Sequence, residues 1–385
     1  MSTFSFNTVA KIVHGDGEAL NLAEHCTARG IGSVLLVTDP GLVQLGMITP
    51  IQTAMKAAGL KVSLYSGVRE DPPEEVVLDA VAQGKRDQVD GLIAVGGGSS
   101  MDVAKVAAAL MVSQQSLAEM YGVDQVSGGR MPLILVPTTA GTGSEVTPVS
   151  VITTGKTTKA GVSSSALLPD VAVLDASLTL GLPPAATAMT GVDAMVHAIE
   201  AYTSKIKKNP ISDSLARSAL TELACHIRTA VHDGQQRDAR ASMLLGAMQA
   251  GQAFANAPVA AVHALAYPLG GHYKIPHGLS NSLVLPSVLR FNLPEAASLY
   301  AELAGFVLQA PVHGSDEAKA TALIDGIESL IDELGLPATL QAAGVAEESL
   351  EMLAEDAMQQ QRLLVNNPRE VLLNDALAIY QAAFS

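Results

Sequence analysis

Gly91-Leu-Ile-Ala-Val-Gly-Gly-Gly-Ser-Ser-Met-Asp102 decides how the first half of this chain folds. The run from Gly91 to Val95 is short and apolar, as a strand covered on both faces requires. Three glycines then stop it, and residues 99–112 follow with helical character. A strand that ends in glycines and opens a helix is half of a parallel unit, so the neighbouring sequence is expected to supply the other strands.

It does so on both sides. Upstream lie strand-like Ser33-Val-Leu-Leu-Val-Thr38, helical 51–59, strand-like Lys61-Val-Ser-Leu-Tyr65 and helical 74–85. Downstream lie Met131-Pro-Leu-Ile-Leu-Val-Pro137, Val149-Ser-Val-Ile-Thr153 and Val171-Ala-Val-Leu174. This alternation predicts an α/β domain, a parallel sheet with helices on both sides, over 1–181. After Gly181-Leu-Pro-Pro184 the character changes to Ala- and Leu-rich stretches of helical period. An all-α domain is therefore expected over 182–385, with helices at 185–204, 209–231, 237–255, 294–308, 316–334, 346–361 and 374–383. The two halves are expected to meet across a cleft of the kind that holds cofactors.

Composition narrows the function. The 385 residues carry 23 basic and 38 acidic side chains, a net charge of −15, which argues against nucleic acid or an anionic membrane as partner. Two cysteines, Cys26 and Cys225, suggest neither a disulfide framework nor a cysteine-rich zinc site, and fit a reducing cytoplasm. No secretion signal opens the chain and no window suits a membrane span, so a soluble, unprocessed protein is expected. Its partners are expected to be small molecules and further copies of itself, a homodimer being the commonest arrangement.

The glycine triplet Gly96-Gly97-Gly98 with Ser99 places backbone N–H groups and the positive end of a helix where a pyrophosphate could sit. Ser99-Ser-Met-Asp102 also reads as a capping box, and the two readings are compatible. Asp39, in Val37-Thr-Asp-Pro40, closes a strand where a carboxylate could hold ribose hydroxyls and repel a 2′-phosphate, favouring NAD; a plain turn aspartate before proline is the alternative. Pro137-Thr-Thr-Ala-Gly-Thr-Gly-Ser-Glu145 is a second hydroxyl- and glycine-rich run after a strand, either a solvated loop or a second wall of the same site.

In the helical half, Gly191-Val-Asp-Ala-Met-Val-His197 spaces Asp193 and His197 by four, one face of a helix. In the segment His263 to Gly278, glycines and prolines break the helix and could return His277 to the same point as His263. Imidazoles with one carboxylate suit Fe(II) or Zn(II) better than Ca or Mg. Taken alone, the helical pair is better explained by capping, ion pairing or a satisfied core histidine.

Taken in order, G-G-G-S-x-x-D at 96–102, P-T-T-A-G-T-G-S-E at 137–145, G-x-D-A-x-x-H-A-x-E at 191–200 and the His263/His277 pair with P-H-G closely resemble the iron-containing (group III) alcohol dehydrogenase family. The resemblance implies a metal-dependent, NAD(H)-linked alcohol dehydrogenase or aldehyde reductase, in which the metal polarises the alcohol or carbonyl oxygen during hydride transfer. It implies one divalent metal, Fe(2+) first and Zn(2+) second, on Asp193, His197, His263 and His277, the residues through which catalysis would run. It further implies cofactor contacts from Gly97, Gly98, Ser99, Thr138, Thr139, Thr142 and Lys159, with Asp39 at the ribose, Leu178 beside adenine and Asp102 in the first loop.

Two positions depart from the family pattern. Tyr267 stands where many members have a histidine, and Glu70-Asp71-Pro72-Pro73 where many have Asn-Pro-Thr. Competing readings are a maleylacetate-reductase-like or hydroxy-acid dehydrogenase, to which Lys274 near His277 lends a hint, and a dehydroquinate-synthase-like lyase. The lyase and a glycerol-1-phosphate dehydrogenase would need basic residues that these segments lack. A non-catalytic dinucleotide sensor would be expected to have lost a ligand.

Overall fold

A computed structural model describes residues 3–155 and 158–385 of the chain. Two compact units divide it, one made of Asn7–Thr139 with Gly143–Gly181, the other of Leu182–Ser385 with Ala140–Thr142 and a short N-terminal stretch ending at Phe6.

The first unit holds a six-stranded, wholly parallel sheet in the order β1-β9-β6-β4-β2-β3. Its strands are β1 (Lys11–His14), β2 (Ser33–Val37), β3 (Lys61–Tyr65), β4 (Gly91–Gly96), β6 (Leu133–Pro137) and β9 (Val171–Leu174). The pleat sorts side chains in alternation. Leu35, Leu92, Ala94, Leu133 and Leu135 face one core with helices α4 (Glu74–Arg86) and α5 (Gly98–Leu110). Val34, Leu36, Ile93, Val95, Ile134 and Val136 face another with α1 (Leu22–Thr27) and α3 (Ile48–Ala57). Both faces are covered, which is why these strands read as unbroken apolar runs. Each fully buried Val, Leu or Ile contributes roughly 1.5–3 kcal/mol.

A smaller sheet joins β5 (Gly122–Val123), β8 (Thr158–Ser163) and β7 (Val149–Thr154) in the order β5-β8-β7, with β7 and β8 antiparallel. The strand at 149–153 thus belongs to a separate sheet.

The chain runs outward from β2 to β3, then returns to place β4 on the other side of β2. That reversal is a topological switch point, where parallel sheets bind ligands at the carboxyl ends of their strands. Asp39 follows β2, and the glycine triplet starts at the last residue of β4.

The second unit is helical: α6 (Pro184–Thr203), α7 (Pro210–His232), α8 (Arg237–Asn256), α9 (Ala261–Tyr273), α10 (His277–Leu308), α11 (Asp316–Glu333), α12 (Leu350–Ala357), α13 (Gln361–Leu364) and α14 (Leu373–Ala382). Two expectations change here. The helix expected at 294–308 is the second half of a 32-residue helix containing Pro286 and Pro294. Each proline removes one backbone donor, but the apolar burial of α10 outweighs that cost. The helix expected at 346–361 is instead a 3-10 turn (Glu347–Ser349), α12 and, after a break, α13. Among the described residues no helix is long and apolar enough to cross a membrane.

Candidate metal centre and nucleotide loops

Helix α6 begins on Pro183 and Pro184, whose fixed φ suits a first turn. It is buried along most of its length, so Asp193 and His197, one turn apart, face the protein interior. Gly191 lets α6 lie close to its neighbours, since a Cβ there would stand 2.8 Å from Ile227 Cδ1 and 2.7 Å from Met243 Cε. Phe254 of α8 stacks on the His197 ring at 4.4 Å and 22°.

His263 is placed by Glu200, two turns along α6 from Asp193. One Glu200 oxygen accepts the Val262 N–H at 2.7 Å, satisfying an open donor at the start of α9. The other meets His263 Nδ1 at 2.6 Å. His263 then turns Nε2 toward Asp193, and presenting a lone pair there requires the proton on Nδ1, with Glu200 accepting it.

The return to His277 is made at Lys274, Ile275 and Pro276 rather than at the glycines of α9, which stays helical through Pro268, Gly270 and Gly271. Lys274 adopts a left-handed conformation, φ 57°, and its Nζ donates to the Gly271 carbonyl at 3.0 Å. This ammonium closes a helix end. Pro276 then starts α10 at His277. Gly278 seats this first turn on α6, because any Cβ there would lie 2.3 Å from the Met189 carbonyl oxygen.

Asp193, His197, His263 and His277 therefore come together in this unit, with one ligand atom from each lying within 4.8 Å of all the others. Asp193 Oδ1 stands 4.0, 3.9 and 3.7 Å from the Nε2 atoms of His197, His263 and His277. A tetrahedral ion with bonds of about 2.1 Å has ligand edges of about 3.4 Å, so the three edges from Asp193 are already near that length and the wider ones would contract on binding. The side chain of His277 is 33% exposed, while those of Asp193, His197 and His263 are 3–5% exposed. The cluster opens on the His277 side.

Asn281, on α10, tests the fit. Its Nδ2 donates to Asp193 Oδ1 at 2.6 Å and lies 3.3 Å from Nε2 of both His263 and His277. Three lone pairs thus converge on one weakly positive group, and a cation would meet the same demand fully. Asn281 Oδ1 is buried without a hydrogen-bond partner, so the amide is oriented by the convergent lone pairs at its Nδ2 alone.

Electrostatics agree. Burial pushes the Asp193 carboxyl up, but the three imidazoles and Asn281 hold it below its ordinary value. Burial, helped by the neighbouring histidines and by Arg362, drives His263 well below its usual value, and burial also lowers His197. Burial lifts Glu200 to about 7 against the hydrogen bonds it accepts. Neutral imidazoles with an ionised aspartate are the protonation states a metal requires.

Tyr267 is half-buried, one turn beyond His263, with its ring 6.1 Å from that of His277. Arg362 Nη2 reaches its hydroxyl at 3.4 Å.

In the first unit, Gly97 caps α5 with no side-chain capping bond, so the capping box expected at Ser99 and Asp102 does not form. Asp102 instead accepts from Ser144 Oγ at 2.6 Å and Val151 N at 2.8 Å, beside Lys105. Both its oxygens are thereby engaged inside the fold. A Cβ on Gly96 would lie 2.5 Å from Ser100 Oγ, whereas one on Gly97 would meet only Thr139, at 3.7 Å. The start of α5, at Gly97, Gly98 and Ser99, is left open. Thr138 N donates to the Gly96 carbonyl at 3.0 Å, which sets Thr138 and Thr139 beside it.

Asp39 caps α2 (Pro40–Gln44), accepting from Leu42 N at 3.0 Å. The turn reading is therefore realised, and Oδ1 carries it. Lys159 pairs with Asp71 at 2.7 Å, which gives the departure at Asp71 a partner. Leu178 sits in the 3-10 turn Ala176–Thr179, against the β2–β4–β6 core. Thr142 belongs to the helical unit, where Gly141 is pressed on Thr190: a Cβ on Gly141 would lie 2.8 Å from Thr190 Cβ.

The sequence reading gave no role to Glu200, Asn281 or Arg362. Glu200 had a signal, an acid inside an apolar helix with no lysine or arginine one turn away. Arg362 had none, being 95 residues from Tyr267.

Comparison with known proteins agrees with this construction. Residues 9–176 match the family described as iron-containing alcohol dehydrogenase, and 187–384 the Fe-containing alcohol dehydrogenase family, C-terminal. A long-chain-alcohol dehydrogenase 1 of Geobacillus thermodenitrificans is 39% identical, covering 98% of either chain. The crystal structure of a 1,3-propanediol oxidoreductase superposes with a TM-score of 0.96 at 34% identity over 100% of both chains. A sulfoacetaldehyde reductase from Bifidobacterium kashiwanohense, solved in complex with NAD+, superposes with a TM-score of 0.89 at 29% identity over 100% of both chains. The chain belongs to the iron-containing alcohol dehydrogenase family, oxidoreductases that act on CH–OH groups.

Proposed function

We propose that this protein is a metal-dependent, NAD(H)-linked alcohol dehydrogenase that also runs in reverse as an aldehyde reductase. The observation that carries the reading is the convergence of Asp193, His197, His263 and His277 around one point, open at His277. A divalent ion held there, Fe(2+) first and Zn(2+) second, supplies a Lewis acid for an alcohol or carbonyl oxygen. A nicotinamide supplies the hydride chemistry.

The chain's own residues have distinct tasks. Glu200 keeps the His263 proton on Nδ1, so that Nε2 stays available. Asn281 holds the Asp193 carboxylate in place. The burial of α6 and the stacking of Phe254 on His197 shield that part of the centre from water. The open start of α5, with Thr138 and Thr139 beside it, suits a pyrophosphate, while Asp39 favours NAD over its 2′-phosphorylated form. The names of the relatives range over long-chain alcohols, propanediol and sulfoacetaldehyde, which supports small alcohol or aldehyde substrates while leaving the substituent open.

The test is to purify the protein without oxygen, load it with Fe(2+) or Zn(2+), and follow nicotinamide absorbance across a series of short aldehydes. NADH should be consumed with at least one of them, faster than NADPH. If no aldehyde draws hydride from either cofactor, the reading fails.

A further inference from the structure

Arg362 is a cation without an anion. The chain carries 38 acidic side chains against 23 basic ones, yet among the described residues no carboxylate pairs with this guanidinium, although it is exposed. Its position is built. Asn366, itself buried, donates from Nδ2 to the Arg362 carbonyl at 3.1 Å and to the Val259 carbonyl at 3.0 Å, and its own carbonyl accepts from Lys205 N at 2.7 Å. These bonds tie α13 to the segment that leads into α9.

From there the guanidinium reaches over Tyr267, with its carbon 6.0 Å from the ring centre and Nη2 3.4 Å from the hydroxyl. Tyr267 in turn stands beside His277, the ligand on the open side of the centre. A guanidinium carries five N–H donors in a planar fork, and the Tyr267 hydroxyl engages one nitrogen, which leaves the geometry for a bidentate oxyanion. We propose that Arg362, with the Tyr267 hydroxyl, reads an anionic substituent on the substrate, so that this enzyme prefers aldehydes or alcohols bearing a carboxylate or sulfonate over neutral ones of equal length. The proposal rests on the reading of the ligand cluster given above.

The Tyr267 ring stands between the two, its centre 6.0 Å from the guanidinium carbon and 6.1 Å from the His277 ring centre, so a short unbranched substrate hydrogen-bonded at its anionic end and held at its oxygen near His277 can bridge them. Lys274, the basic residue nearest His277 in sequence, is committed to the end of α9. Arg362 takes the role that the sequence hinted for Lys274.

The test uses the metal-loaded enzyme with NADH and two matched pairs: succinic semialdehyde against butanal, and 5-oxopentanoate against pentanal. Each reduction moves a hydride from NADH to the carbonyl carbon and a proton to its oxygen, so every pair differs only in the remote carboxylate. The readout is the ratio of kcat/KM, anionic over neutral, in wild type, Arg362→Gln and Arg362→Lys. The wild-type ratio should exceed that of Arg362→Gln by about tenfold or more, through KM, with Arg362→Lys between them. Added salt should shrink the wild-type ratio. An equal ratio in wild type and Arg362→Gln, or an equal loss on both members of a pair, overturns the proposal and leaves the metal reading standing. Failure of every aldehyde in the wild type overturns both.

Discussion

Glu200 does two things for α9 with one carboxylate, accepting the Val262 N–H in its first turn and fixing the His263 tautomer. Glu200→Gln keeps the shape but offers an amide where a proton acceptor is needed. It should weaken metal binding about 10–100-fold in a chelator competition, and unchanged occupancy would contradict the assigned role. Asp39 caps α2 and, on the proposed reading, also faces the ribose, and one substitution separates the two. Asp39→Asn retains a good helix cap and removes the charge, so stability should hold while NADH loses about tenfold or more of its advantage over NADPH in kcat/KM. An unchanged cofactor ratio would leave Asp39 as a cap alone. At this scale the sequence was informative where chemistry forces a residue type at a spacing, as with Asp193 and His197. It was silent on Asn281 and Arg362, whose partners lie on other elements and follow no local rule.

Among the elements, β2, β4, β6 and β9 were legible because burial on both faces demands continuous apolar runs, and the edge strand β3 by its alternation of apolar and polar residues. β1 was missed because it is a mostly exposed edge strand, and β5 and β8 because they are short or polar. α10 was cut short by its prolines, whose local cost tertiary packing overrides. The contact between α10 and α6 depends on Gly278. Gly278→Ala would press a methyl against a backbone carbonyl that cannot swing aside, and should lower stability by about 1–3 kcal/mol in urea while releasing metal. An unchanged midpoint with full metal would show that the two helices have slack.

α5 is joined to the small sheet by Lys105, fully buried, whose Nζ donates to Ser144 Oγ at 2.7 Å, Thr147 Oγ1 at 3.2 Å and the Val149 carbonyl at 2.7 Å. Lys105→Met leaves Asp102 without its counter-charge and should cost about 3–5 kcal/mol in urea unfolding; a loss below 1 kcal/mol would refute the structural role. Burial lowers Lys105 from 10.5 to about 8. Between those values the unfolded chain binds more protons, so this residue's contribution should make stability rise with pH, a rise that Lys105→Met loses.

At the scale of the whole molecule, a parallel sheet with an open helix start at its switch point and a helical unit with a metal-type cluster would, on the proposed reading, divide two tasks. The order of motifs along the chain follows that division, except that the run at 137–145 belongs to the helical unit at Ala140–Thr142 and to the first unit on either side. The most direct measurement is aldehyde-dependent NADH oxidation by one preparation as isolated, after exhaustive chelation, and after reloading, with metal content followed in parallel and Asp193→Ala beside it. Turnover should vanish on chelation, return with about one divalent ion per chain, and stay absent in Asp193→Ala, which should not retain the ion. Turnover that persists in metal-free protein would contradict the account.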